Sequence, residues 1–288
     1  MDANTLSTHD PQVDRPQQAT TPAWRTAVAA IGRWTRRWWA DGALTLAFVG
    51  EVLLACRRLL AGRGSMRWSD VAWQVEQAGP RSVGIVALVS GLVGVILAYM
   101  GAVQLQRVGA QSYIADLVTI GAVREVAALM TGVILAGRVG AAFAAQLGSM
   151  QANEEIDALR ALGIDPMDHL VLPRLLALLL VSPLLTAFAS VTAILFGGLV
   201  ALTVFGVPPM EYLYKSADAL TLPHVWIGIG KGTVYGLLVA AAGCRQGLSA
   251  GRSAEAVGAA VTASVVQAIV WIVVAASALT IAFQRLDW

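Results

Sequence analysis

Five long apolar segments dominate this chain, and they restrict it to folds in which helices cross a membrane. A helix needs about 20 predominantly apolar residues to span the hydrocarbon core of a bilayer. Only 13% of the residues are charged, whereas a soluble domain carries about 25%. The sequence therefore predicts an all-α integral membrane protein with five transmembrane helices. The predicted spans are Val83–Leu105, Val126–Met150, Leu175–Val207, Val225–Cys244 and Ala256–Phe283.

The third span is longer than one crossing requires, and Pro183 or Gly197-Gly198 predicts a tilt or a break in it.

The residues before the first span divide into a tail and an amphipathic region. Residues 1–22 are polar and lack the apolar core of a signal peptide, which predicts a disordered tail. Residues 23–80 are predicted to form interfacial amphipathic helices, and residues 81–288 the transmembrane domain. Residues 24–39 place Trp on one helical face and Arg on the other, as in a helix lying in the headgroup plane. Ala43–Leu60 is predicted to be a second interfacial or half-inserted helix, with a full span as the alternative.

Basic residues are distributed unequally between the two sides of the membrane. With a cytoplasmic N-terminus, fourteen Lys and Arg lie inside and four lie outside. Because cytoplasmic segments are enriched in basic residues, this predicts a cytoplasmic N-terminus and an external C-terminus. The inside set is the ten before the first span with Arg160, Arg174, Arg245 and Arg252, and the outside set is Arg107, Arg124, Lys215 and Arg285.

A short acidic segment between the second and third spans has the sequence of a complete helix. Asn153 is a suitable N-cap, and the carboxylates that follow it suit the positive end of the helix dipole. Gly163 suits the position after the helix, and Pro166 opposes its continuation. We interpret this segment as a rigid cytoplasmic element on which a soluble partner acts. The contact residues predicted here are Asn153, Glu154, Glu155, Ile156, Asp157, Leu159, Arg160 and Leu162.

Four ionisable residues lie in or beside the predicted spans. Arg124 and Glu125 open the second span, Arg138 lies inside it, and Lys231 lies inside the fourth. Charges at membrane depth cost several kcal/mol unless they are paired or hydrated, so each is a candidate for function. The alternative is that each side chain snorkels or forms a structural ion pair.

Small residues recur every four positions in two spans and predict close helix packing. Ser90, Gly94 and Ala98 form such a row in the first span, and Gly137 and Ala141 in the second. Packing within the chain is the simpler interpretation, and a dimer face is the alternative for one of the rows.

The sequence offers no motif for catalysis, for metal binding or for nucleic-acid binding. The histidines and the two cysteines are isolated from one another, without metal-ligand spacing. Gly230-Lys231 resembles part of a phosphate-binding loop, but Gly232 replaces the required Ser or Thr and no strand precedes it. We therefore predict no catalytic residue and no cofactor in this chain. If the protein is an energised machine, its energy comes from a partner.

The central part of the chain is similar to the signature of MlaE/YrbE-type permeases, the membrane subunits of lipid-handling ABC transporters that work with MCE proteins. The runs that carry the resemblance are Arg124-Glu125, Ala136–Ala142, Gln146–Met150, Glu155–Leu159, Gly163–Pro166, Pro173-Arg174, Ser182–Leu185 and Arg252–Gly258. The resemblance extends over about residues 75 to 285. The chain departs from the family in having Val126-Ala127-Ala128 where Gly-Pro is usual. It also has Ala276 where some members carry an acid, so no charged partner for Lys231 is expected in the last span.

The resemblance implies a homodimeric permease of the bacterial inner (cytoplasmic) membrane. Such a permease binds a cytoplasmic ABC ATPase, which holds ATP and Mg, and a periplasmic hexameric ring of MCE proteins. It moves phospholipid or a related lipid between the inner membrane and that ring, toward outer-membrane lipid homeostasis. Glu154–Leu162 takes the place of the coupling helix, and the ATPase groove is expected to present basic or backbone N–H groups to Glu154 and Glu155. A cavity between the first and last spans is expected to attract headgroup phosphate through Arg124, Arg138 or Lys231.

Two other functions stay open. A proton-coupled secondary transporter would use Glu125 with Lys231 or Arg138 as a relay, although no inverted repeat is evident. A membrane scaffold without transport activity would assemble partners through its amphipathic helices. Neighbouring genes for an ATPase and an MCE protein would favour the lipid permease over both.

Overall fold

The computed structural model describes residues 23–62, 66–107, 109–110 and 113–285, and these residues form helices joined by short turns. No strand occurs in this part of the chain, so the predicted all-α fold is confirmed. The α-helices are α1 Ala23–Leu60, α2 Trp68–Ala78, α3 Pro80–Arg107, α4 Ile114–Gly121, α5 Ala127–Leu135, α6 Ala141–Ala152, α7 Glu155–Ala161, α8 Leu172–Thr203, α9 Pro209–Ala219, α10 Leu222–Leu248 and α11 Ala254–Arg285. Three π-helical turns join them, π1 Ala122–Val126, π2 Ala136–Gly140 and π3 Met167–Val171.

Within the described part of the chain, five helical runs are long and apolar enough to cross a membrane, which confirms the predicted number of spans. The second run begins at Ile114, before the predicted start at Val126, so Arg124 and Glu125 lie within that run and not at its beginning. The sequence did not indicate this because both side chains find their partners within the helix bundle. The five runs are Trp68–Arg107, Ile114–Ala152, Met167–Thr203, Leu222–Leu248 and Ala254–Arg285.

The third span is not broken, because helix α8 continues through Pro183 and through Gly197-Gly198. The predicted break is therefore wrong, and the tilt that was its alternative stays a prediction. The two glycines instead permit close packing, because a Cβ at Gly197 would lie 2.8 Å from the Val118 side chain and one at Gly198 would lie 2.7 Å from the Tyr212 ring.

The N-terminal helical region also differs from its prediction. Ala43–Leu60 does not form a second helix, since α1 is one helix from Ala23 to Leu60. No proline interrupts it, and the Thr45 hydroxyl donates to the Asp41 carbonyl oxygen (2.7 Å), a local hydrogen bond compatible with continued helix. The predicted tail, 1–22, lies outside the described residues, as do most of the side chains on the predicted Trp face. An interfacial position for α1 therefore stays a prediction.

The chain divides into two units, residues 1–47 and residues 48–288. In the second unit α10 packs against α5, α6, α8 and α11. The glycines of α10 make these contacts close: a Cβ at Gly228 would lie 2.0 Å from the Val123 carbonyl oxygen, and one at Gly243 would lie 2.6 Å from that of Gly140. Large buried side chains complete the core around it, among them Leu135, Leu147, Leu178, Tyr235 and Ile272.

The two predicted rows of small residues have different environments. Ser90, Gly94 and Ala98 are buried, and a Cβ at Gly94 would lie 2.1 Å from the Ala193 carbonyl oxygen of α8. This row therefore packs within the chain. In the second span Gly137 is exposed and Ala141 is half-buried, and the close contact with α10 is made by Gly140.

The connections between spans lie at two ends of the bundle. Helix α7 and the α10–α11 loop meet at one end, where Arg252 contacts Glu154. Helix α9 and the start of the second span meet at the other end, where the Lys215 ammonium lies 5.1 Å from the centroid of the Tyr113 ring. The alternation of five spans thus brings the segments of each side together.

Candidate functional site

Helix α7 is the acidic helix that the sequence predicted between the second and third spans, but its N-terminus differs. The helix begins at Glu155, and Glu154 holds the cap position that was predicted for Asn153. Asn153 ends α6 instead, and its side-chain amide lies 3.3 Å from the Glu155 carboxylate. The reason is that the chain turns from α6 into α7 at Glu154, whose left-handed backbone (φ 61°) separates the two helices.

The C-terminus of α7 agrees with the prediction. Gly163 adopts φ 76°, a left-handed conformation that favours glycine. The Gly163 amide donates to the Arg160 carbonyl oxygen, and the Ile164 amide donates to that of Leu159, both at 3.0 Å. This pair of hydrogen bonds is a Schellman motif, which stops the helix sharply.

One face of α7 anchors it and the other is accessible. Ile156 is fully buried in the core, and Leu159 is packed against the same cluster. Leu162 is 75% exposed, and Glu155 is exposed beside it. Of the residues predicted to contact a partner, Ile156 therefore fixes the helix to the bundle, while Leu162 and Glu155 are available at its surface.

Arg252, in the α10–α11 loop, joins α7 to the last span. Its guanidinium donates to the Glu154 carboxylate (2.9 Å) and to the Asp157 carboxylate (3.0 Å). Arg160 pairs with the other oxygen of Asp157 at 3.2 Å. Glu154, which was expected to receive basic groups from a partner, thus already has a basic group of its own chain.

A second arginine joins α1 to the segment that follows α7. Arg58 donates to Asp165 and to Asp168, each at 2.7 Å, and Asp168 is almost fully buried. The hydrogen bond with Asp168 raises the pKa of the Arg58 guanidinium above its ordinary value. Asp165 also accepts a hydrogen bond from the Met167 amide (2.9 Å) at the start of the third span.

Two of the four ionisable candidates in the spans form an ion pair. Lys231 of α10 is buried, and its ammonium donates to the Glu125 carboxylate and to the Thr280 hydroxyl (3.0 Å). The Thr280 hydroxyl also lies 3.3 Å from both Glu125 oxygens. Among the described residues, the last span supplies Lys231 with a hydroxyl one turn beyond Ala276, and the carboxylate comes from the second span.

The other two candidates contact a histidine and a hydroxyl group. The Arg124 guanidinium lies 3.3 Å from His224 Nδ1 at the start of α10. Arg138 donates to the Ser82 hydroxyl (2.7 Å), which in turn donates to the Ala78 carbonyl oxygen (2.6 Å) where α2 meets α3. Arg138 follows Arg124 by 14 positions, a rise of about 20 Å along a helix. The four side chains therefore do not form one cluster.

All three π turns carry charged residues within the spans. Arg124 and Glu125 lie in π1, Arg138 in π2 and Asp168 in π3. A π turn adds one residue to a helical turn and so changes the direction of the side chains, and such turns are frequent at functional sites. We attribute to them the inward placement of charges that a regular helix with the same sequence would direct elsewhere.

A small apolar pocket of about 140 Å³ lies between α8 and α10. Its one polar lining side chain, Ser190, donates to the Thr186 carbonyl oxygen at 2.9 Å, so the pocket suits hydrocarbon. The lining residues are Val123, Ala187, Ser190, Val191, Ile194, Leu220, Val225 and Ile229. Within the described part of the chain no three His, Cys, Asp or Glu side chains come together as a metal site would require.

Several residues of these contacts were not predicted from the sequence as a site: Thr280, His224, Ser82, Asp165, Asp168, Arg58 and Arg252. Most of them pair with a residue about 50 to 150 positions away. No local pattern indicates such a pairing. Arg58 ends an apolar segment beside Arg57, and Asp165 and Arg252 lie in runs that carry the family resemblance, but none of these signals indicates the partner.

Comparisons with known proteins give a consistent result. The family model described as Permease MlaE matches residues 71–282. The Arabidopsis thaliana protein TRIGALACTOSYLDIACYLGLYCEROL 1, chloroplastic, is 31% identical over 226 residues, which are 78% of this chain and 63% of the relative. The chain thus spans less than two thirds of that protein. A probable ABC transporter permease protein of Synechocystis is 32% identical over 76% of this chain and 82% of its own. A probable ABC transporter permease protein of Rickettsia typhi is 33% identical over 68% of this chain and 76% of its own.

Proposed function

This chain belongs to the permease MlaE family, and from that premise we propose that it is the membrane-spanning subunit of an ATP-driven transporter of phospholipid or a related lipid. The single observation that carries the proposal is α7. A seven-residue helix with a defined start and stop joins two spans and exposes Leu162 and Glu155. We assign α7 as the coupling helix that receives the motion of an ATPase, which binds the ATP and Mg.

The exposed apolar surfaces of the first and last spans support the proposal that the cargo is a lipid. In the apolar stretch of the first span 28% of the residues are buried, and in that of the last span 17% are buried. In each of the other three spans the buried share is 50%. We propose that a homodimer uses these two open spans to enclose a cavity that is apolar enough for acyl chains. The pocket between α8 and α10 offers a further apolar surface, next in sequence to Arg124 and its neighbour His224. The Arabidopsis relative carries the name of a diacylglycerol lipid.

We further propose the orientation and the partners. The α7 end faces the cytoplasm and the ATPase, in accord with the distribution of basic residues. The α9 end faces the periplasm of a bacterial inner membrane, where a ring of MCE proteins would receive or deliver lipid. Exposed Met210, Leu213 and Tyr214 give α9 an apolar face suited to that membrane surface.

The test is binding of the ATPase subunit to purified permease in detergent. Charge reversal of the three carboxylates, Glu154→Lys, Glu155→Lys and Asp157→Lys together, is expected to abolish binding, because it places like charges where the ATPase groove is expected to be basic. Glu211→Lys, at the other end of the molecule, is the control and should leave binding intact. Unchanged binding of the triple variant would show that α7 is not the coupling helix.

One observation bears on a proton-driven alternative. Glu125 and Lys231 form a carboxylate–ammonium pair inside the spans, an arrangement that proton relays also use. In a proton-driven transporter Glu125→Gln would remove lipid movement driven by a pH gradient. In the ATP-driven transporter proposed here, a pH gradient moves no lipid in the first place.

A further inference from the structure

The connection between α7 and the last span has a consequence for how movement passes through the protein. Helix α7 is attached to the bundle through α6, from which it is separated by the single residue Glu154. Besides this connection, the chain that continues into the third span and the buried Ile156, α7 has an electrostatic attachment, because Arg252 holds Glu154 and Asp157 at 2.9 Å and 3.0 Å. Arg252 is thus the point at which α7 meets the second of the two open spans.

Glu154 has the strained backbone that such a junction requires. It is the one non-glycine residue with positive φ in the described part of the chain. A left-handed conformation is unfavourable for a glutamate, and strained residues concentrate at switch regions and functional sites. Here the strained residue is also the one that the Arg252 guanidinium binds, so the same contact supports the turn and links it to the last span.

Arg252 is firmly connected to α11. The next residue, Ser253, caps that helix: its hydroxyl oxygen accepts a hydrogen bond from the Ala256 amide (3.2 Å), and its carbonyl oxygen accepts one from the Val257 amide (3.0 Å). Val257 then packs against Gly148 of α6, where an added Cβ would lie 3.2 Å from it. A displacement of the Arg252 guanidinium therefore acts on the first turn of the last span.

We propose that Arg252 is a positioning residue that makes the last span move with the coupling helix. The inference rests on the proposed function of α7. The contact, which we call the Arg252 brace, holds α7 and the N-terminus of α11 at a fixed distance, so that a push on α7 reaches both the second span through Glu154 and the last span through Arg252. The brace is exposed to solvent on both sides. It therefore determines that the last span moves with α7, and it contributes little to the stability of the fold.

The first test measures the brace in the permease alone, in phospholipid nanodiscs. Spin labels at Leu162→Cys on α7 and Ala259→Cys on α11, in a background with Cys56 and Cys244 replaced by Ala, report the distance between the two helices. Arg252→Gln is expected to broaden the distance distribution. Arg160→Gln removes the other cation that binds Asp157 but no link to α11, and it should leave the distribution narrow. A narrow distribution in both variants would overturn the proposal.

The second test measures coupling in the complex with the ATPase subunit. Arg252→Gln is expected to retain ATPase binding within about twofold and to lose at least about fivefold of the lipid stimulation of ATP hydrolysis. Glu154→Asn, which tolerates the left-handed backbone but lacks the carboxylate, should lose the same lipid stimulation when ATP hydrolysis is measured at saturating ATPase subunit. Arg57→Gln, an exposed arginine at the end of α1, is the control and should retain full stimulation.

The outcomes separate this proposal from the function on which it rests. Loss of ATPase binding in Arg252→Gln would make Arg252 a docking residue and would overturn its role in positioning α11. Unchanged stimulation in Arg252→Gln and Glu154→Asn would overturn it as well. If the unmodified permease binds no ATPase, the proposed function fails, and the spin-label distances still decide whether the brace exists.

Discussion

Charged side chains inside the spans matter through their partners. Lys231 is buried and bonds to the half-buried Glu125 and Thr280, so each group of this cluster depends on the others. Removing one member of a buried pair leaves the other without compensation, whereas removing both charges is tolerated better. Arg58 and Asp168 form a comparable pair where α1 meets the start of the third span, with the carboxylate as the buried member.

Replacement of Lys231 by Met is expected to destabilise the protein by about 2–3 kcal/mol. This is below the usual figure for a fully buried pair, because the Glu125 side chain keeps 40% of its surface exposed. The melting temperature in detergent should fall by roughly 5–10 °C. The double variant Lys231→Met, Glu125→Gln should recover part of this loss. A double variant at least as unstable as Lys231→Met would show that the pair is not coupled.

Replacement of Arg58 by Gln is expected to lower the melting temperature, because it leaves the buried Asp168 carboxylate without its cation. The raised pKa of Arg58 keeps the guanidinium charged, so its contribution is fully present below the ordinary arginine pKa and should not change between pH 6 and pH 9. Thermal unfolding of the variant at both pH values checks this. Arg57→Gln is the matched control, and an equal loss of stability in that variant would contradict the assignment.

Helix α10 shows which features of an element its sequence reveals. Its length, its apolar character and the position of Lys231 inside a span could all be predicted from the sequence. Which of its glycines make close contacts could not, because Gly228 and Gly230 are indistinguishable in the sequence but face different neighbours. The same holds for the start of the second span: the sequence placed it at Val126, since nothing local shows that Glu125 pairs with Lys231 inside the bundle. The cap of α7 was misplaced by one residue because Glu154 adopts an uncommon backbone conformation.

Replacement of Gly228 by Ala is expected to destabilise the packing of α10 against π1 by about 1–3 kcal/mol, because the added Cβ would lie 2.0 Å from the Val123 carbonyl oxygen. Gly230→Ala is the matched control on the same helix. No atom lies within 4 Å of its added Cβ, and alanine is the better helix former, so this variant should be neutral or slightly stabilising. Equal melting temperatures of the two variants would contradict the packing described for α10.

At the scale of the whole molecule, the alternation of spans places α7 and Arg252 at one end and α9 at the other. The count of basic residues predicts which end faces the cytoplasm. Single cysteines at Leu162 and at Met210, both highly exposed, test this in a background without Cys56 and Cys244. A membrane-impermeant maleimide applied to intact spheroplasts should label Met210→Cys and not Leu162→Cys. Labelling of Leu162→Cys alone would reverse the proposed orientation.

The most direct test of the central claim is lipid movement in proteoliposomes that contain the permease and its ATPase subunit. Labelled phospholipid should leave the membrane for an acceptor when ATP and Mg are added. It should not leave with a non-hydrolysable ATP analogue, with a pH gradient alone, or with the triple charge reversal in α7. Movement that proceeds equally without ATP, or that follows the pH gradient, would contradict the account of this protein as the membrane subunit of an ATP-driven lipid transporter.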